Sequence, residues 1–324
     1  MATCSFISGV LKSPSGIQRR SAICMSEDRP SAPGSLEEVL VGAVNSVTGG
    51  IEGGLKRLRV TVLLPGLNDK VENTFPFNEE LLFFVTRALA TSEAFDRRHL
   101  RLLFESTGQA ASARAYYEKT GNPTNENVSY GSLLPKEVRE GGGDGDAYIL
   151  VSPQNRTGDP VILDVEKILN KAPDAIHILL NPKLEHNQAN IAASIVETDR
   201  RRVLIESFKE VYHYRPLYVV RRPTLETSQV GLLQYQYGRP WRVFTGSEQD
   251  LTFADEFESL PGRSQISKVV EAGREKNRKP QSEEEVQAIK QSEQKFLGLL
   301  ANLSIATILT AVFLFLRTRE VVAP

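Results

Sequence analysis

Amides and hydroxyls recur just after short apolar runs in this chain. Asn68 comes soon after LRVTVLL, Ser106 after LRLLFE, Gln154 and Asn155 after AYILVSP, and Asn181 after AIHILL. Such side chains donate and accept hydrogen bonds, but none is a strong base or nucleophile. Brought together, with Glu72 and Glu105 as the nearest carboxylates, they would hold a peptide segment or a small polar ligand better than they would catalyse. The same residue types also terminate strands and build turns. A second set is basic: Arg200, Arg201, Arg202 and Lys209, with Arg215, Arg221 and Arg222 beyond, against Glu206 and Glu210. Three arginines at a helix start oppose its dipole, so the patch suits an acidic partner or anionic headgroups, or else a solvated helix face.

Other chemistries are excluded or lack their residues. Cys4 and Cys24 are the only cysteines, so from Met25 onward there is no thiol nucleophile, disulfide framework or zinc–thiolate set. His99, His177, His186 and His213 show no paired ligand spacing and read as surface or core histidines, so no metal or cofactor is expected. The glycines at 141, 142, 143 and 145 precede a strand, whereas a phosphate cradle follows one, and they match no phosphate-loop pattern. No G-x-S-x-G elbow is present. With 39 basic and 40 acidic residues, the chain lacks the positive field of a nucleic-acid binder.

The elements that must position these residues alternate. Ser35 with Glu38 opens a helix over Leu36–Val47, which glycines 49, 50, 53 and 54 should break. Strands are predicted at Leu58–Leu64, Leu100–Phe104, Ala147–Val151 and Ala175–Leu180 from their apolar, β-branched runs. Asn78 caps a helix whose apolar face carries Leu81, Leu82, Phe84, Val85, Ala88 and Leu89. Further helices are predicted over Ala110–Lys119, after Asp159-Pro160, and over Arg201–Tyr212, with a polar loop from Thr120 to Asp144. Late strands follow at Leu217–Val220, Gly231–Tyr237 and Trp241–Thr245, the last two as a hairpin. Alternation of this kind implies right-handed βαβ units: an α/β three-layer sandwich with a mostly parallel sheet and an antiparallel edge hairpin. In a parallel sheet the C-terminal strand ends share one rim, which would gather the amides.

Both ends read differently. Residues 1–26 carry six serines, Lys12, Arg19 and Arg20 with no acid, the composition of an organelle transit peptide. Residues 35–250 make the soluble domain, and 251–295 a charged linker with a stalk helix starting at Ser282. Phe296–Leu316 is 21 residues without a charge, long enough for the roughly 30 Å hydrocarbon core, and reads as a C-terminal transmembrane helix before a short tail at 317–324.

The segments LRVTVLLPGLN with Glu72, LRLLFESTGQAA, AYILVSPQN followed by GDPVI, ILLNPKL, DRRRVLIESFKEVYHYRPL and GLLQYQYGRPWRVF resemble, in order and spacing, the plastid family of low-photosystem-II-accumulation proteins. The same domain, of unknown chemistry, is found fused to some plastid adenylate kinases. The resemblance covers about Ser35 to Thr245. It implies a chloroplast protein that helps build or maintain photosynthetic complexes, with no catalytic activity to carry over. The kinase phosphate loop is missing here, and the C-terminal span departs from a soluble factor. The expected protein is therefore non-enzymatic, thylakoid-anchored and stroma-facing, and its partners are subunits of a photosynthetic complex, photosystem II foremost, or its antenna. Two alternatives stay open: a stoichiometric subunit linking a photosystem to its antenna, and a ligand-binding or enzymatic domain using the strand-end crevice.

Overall fold

A computed structural model of the protein describes residues 30–68, 71, 74–120, 127–138, 145–154, 161–184, 202–221 and 226–276. The expected transit segment, stalk and apolar span lie outside these residues. Among the described residues no helix is long and apolar enough to cross a membrane.

Among the described residues the main elements follow in the order α1 (Leu36–Glu52), β1 (Arg57–Val62), α2 (Glu79–Ala90), β2 (His99–Phe104), α3 (Thr107–Thr120), β3 (Val128–Ser132), β4 (Asp146–Val151), α4 (Val161–Lys171), β5 (Ile176–Leu180), β6 (Lys209–Arg221), β7 (Glu226–Gln236), β8 (Trp241–Thr245), β9 (Thr252–Phe257) and α5 (Arg263–Lys276). The strands form one sheet in the order β3-β2-β4-β5-β1-β6-β7-β8-β9. From β3 to β6 every pair is parallel; the three pairs from β6 to β9 are antiparallel.

Two cores explain the layers. A right-handed crossover stepping one way along a sheet covers one face, and one stepping back covers the other. α2 and α3 lead outward from β1 to β2 to β3; they and α1 cover the face of Leu58, Val60, Leu102 and Ile178. α4 leads back, and with Ile205 and Phe208 covers the opposite face, where Leu103, Leu150 and Leu179 point. Every residue of β4 and β5 is buried, as central parallel strands require. α5 packs Ile266, Val269 and Val270 against Leu233, Trp241 and Val243.

The caps form as expected. Ser35 Oγ accepts from the Glu38 N–H at 3.2 Å, and Asn78 Oδ1 accepts from that of Leu81 at 2.9 Å. Elsewhere the fold departs from the expectations. α1 runs through Gly49 and Gly50 to Glu52, because a Cβ on Gly50 would stand 2.9 Å from Leu58: this glycine lets the helix approach β1 and does not break it. Of the helix expected over Arg201–Tyr212, residues 202–206 are helical among the described residues, and Lys209 begins β6. Ile205, Phe208, Val211 and Tyr212 fit helical spacing, but Val211 and Tyr212 instead fill the first core from a strand pairing with β1. β3 lies inside the expected polar loop. β9 and α5 lie inside the expected linker: β7 and β8 form the expected hairpin, but β8 also pairs β9, so the antiparallel part is four strands and the hairpin is not its edge.

Candidate functional site

The C-terminal ends of β1, β2, β4 and β5 do share one rim. β4 and β5 end in register, Val151 beside Leu180, and each is followed by a residue in the left-handed region, Ser152 (φ 47°) and Asn181 (φ 48°). These are the only non-glycine residues of positive φ among the described residues, and such strain collects where structure is over-determined. The turn is held by backbone bonds: the Ser152 N–H donates to Leu180 at 2.7 Å, that of Asn181 to Val60 at 2.9 Å, and that of Lys183 to Pro153 at 2.8 Å. Gln154 then bridges Lys183 and is half-buried.

The Asn181 amide is engaged at both ends. Its Oδ1 accepts from the Val62 N–H at 2.6 Å, and its Nδ2 donates to the Val62 carbonyl at 2.9 Å. With 4% of its surface exposed, Asn181 imitates a peptide group and prolongs the β1–β5 pairing after its own backbone has turned away. Ser106 Oγ accepts from the Gln109 N–H at 3.1 Å and caps α3, while Gln109 accepts from the Glu105 N–H at 3.2 Å. Asn68 is buried, with 5% exposed, and its carbonyl accepts from Val71. Glu72 and Asn155 lie outside the described residues, as do Arg200 and Arg201 of the basic patch. Arg202 is exposed and stands 3.9 Å from Glu206, an ion pair of little energetic weight. Lys209 is exposed at the start of β6.

A constellation invisible to spacing lies on the opposite face from α1. Residues three apart in a regular strand face opposite sides. A β-bulge between Arg59 and Val60 leaves Val211 of β6 unpaired, which brings Glu210 and His213 to one side. Glu210 Oε2 lies 3.0 Å from Arg59 Nε, and Oε1 lies 3.1 Å from His213 Nδ1. The imidazole also leans on Trp241, centroids 5.1 Å apart, and Trp241 stacks on Tyr235 at 4.8 Å. His213 Nε2 and Thr61 Oγ1 are both buried without a hydrogen-bond partner, and Thr61 is the register partner of His213 in β1. Only pairing across strands distant in sequence could reveal this set; spacing left His213 among the isolated histidines.

Among the described residues, no group of three or more histidine, cysteine, aspartate or glutamate side chains could hold a metal ion. The rim can offer hydrogen bonds from Gln154 and the Ser106 hydroxyl, and the second face offers an imidazole fixed by a carboxylate. A family model described as a domain of unknown function, DUF1995, matches residues 33–268, which takes in the whole sheet and the first part of α5. The chain belongs to that family.

Proposed function

We propose that this protein is a non-enzymatic support factor for a photosynthetic complex, foremost photosystem II, anchored in the thylakoid membrane by residues 296–316 and facing the stroma. One observation carries this reading. The rim, where an open α/β fold keeps its chemistry, turns its Asn181 amide inward onto Val62 and uses Ser106 to cap α3. Such an edge is built to be rigid, which favours a protein-contact scaffold. The resemblance of residues 35–245 to the low-photosystem-II-accumulation family supplies the complex, and the charge-free run supplies the membrane. Partners are complex or antenna subunits met through surfaces such as that of Arg202 and Lys209.

The test is affinity purification of the full chain from detergent-solubilised thylakoids, with its abundance counted against reaction centres. Photosystem II subunits should co-purify while the protein stays well below one copy per centre. One copy per centre would instead favour a permanent linker subunit, and recovery without any photosynthetic subunit would sink the proposal.

A further inference from the structure

The Arg59–Glu210–His213 relay has no part in the scaffold reading, and beside it two buried polar atoms have no hydrogen-bond partner. A bulge is needed to build it, since without Val211 out of register the carboxylate and the imidazole would face opposite sides of the sheet. Paired with Arg59, the Glu210 carboxylate only accepts, so the hydrogen of the 3.1 Å contact sits on His213 Nδ1. In the neutral imidazole Nε2 then carries the lone pair, and it is buried without a hydrogen-bond partner. Across the β1–β6 pair, the Thr61 hydroxyl is also buried and without a partner. An acceptor on one strand and a hydroxyl on the next complement one hydroxyl group, which donates to the first and accepts from the second. Among the described residues Arg59 and Glu210 pair in charge, which favours a neutral occupant over an ion. Their side chains are 21% and 18% exposed, so the relay is reached from the surface, although the two orphaned atoms are covered. Trp241 and Tyr235 supply an apolar wall.

We propose that His213 Nε2 and Thr61 Oγ1 together bind one hydroxyl group of a small neutral alcohol or polyol, with Arg59 and Glu210 holding the imidazole in its accepting tautomer. Trp241 is the only tryptophan of the chain and touches the imidazole, so its fluorescence reads the site. The full chain in detergent is titrated with ethylene glycol and, in parallel, with 1,2-dimethoxyethane, which has ether oxygens but no hydrogen to donate. Ethylene glycol should change the emission saturably and dimethoxyethane should not. Thr61→Val should weaken the ethylene glycol response about fivefold, the worth of one neutral hydrogen bond, and Thr61→Ser should leave it near wild type. His213→Phe should abolish it. Equal responses to the two probes, or a response that never saturates, overturn the proposal and leave the two atoms to a lone water. If Thr61→Val fails to fold, the contrast between the two probes on the wild-type chain still decides.

Discussion

Burial pushes the His177 imidazole down to about 4 from 6.5, although the Ala172 carbonyl 2.7 Å from Nε2 pulls the other way. The ring is 1% exposed and lies flat against Tyr148, 5.3 Å between centroids. Its neutral form belongs to the fold, and the unfolded chain binds the proton first. Stability is therefore unaffected by this group above pH 6.5, falls as pH drops towards 4, and loses no more below that. Integrated from pH 7 to pH 5 the loss is about 2 kcal/mol. Urea unfolding at the two pH values should show it in the wild type and a correspondingly smaller change in His177→Phe, which keeps the ring stack. Identical slopes would mean that His177 is not the source. At this scale the caps were legible: Ser35 and Asn78 bond locally, within three residues. Asn181 was legible only as an amide at a strand end, because its partner Val62 is 119 positions away.

Between elements, close approach decides what a glycine means. A Cβ on Gly273 of α5 would come within 2.4 Å of Thr245 Oγ1, on a side chain that is 2% exposed and stiff at χ1. Alanine gains about 1 kcal/mol over glycine by helix propensity, whereas forcing a methyl into a packed contact costs about 1–3 kcal/mol. Contact should win, so Gly273→Ala should lower Tm and shift Trp241 emission to the red as α5 lifts. A raised Tm would show that propensity dominates and that α5 sits loosely. The same logic explains Gly50 of α1, a glycine that sequence alone marks as a breaker. It differs for 209–212, where the apolar spacing suits a continued helix and the demand of β1 for a parallel neighbour makes a strand.

Across the whole molecule, the path of the chain follows from crossover handedness: outward over one face through α2 and α3, back over the other through α4, then four antiparallel strands closed by α5. Beyond α5 the charge-free run from Phe296 to Leu316 should hold the protein in the bilayer. Alkaline carbonate washing of thylakoids should leave the full chain in the pellet and release a chain truncated before Lys295; a full chain found in the supernatant would refute the span. Sequence by itself determined the α/β class, the mostly parallel sheet, the capped starts of α1 and α2, and five strands within two residues of their ends, because apolar period and capping chemistry act over a few residues. The tertiary structure decided the rest. Strand order, the bulge at Val211, the inward turn of Asn181 and the meeting of Arg59, Glu210, His213 and Trp241 all depend on pairing between segments that are distant along the chain. No local pattern encodes which strand will lie beside which, since that is settled by how the apolar faces of all the elements are covered at once.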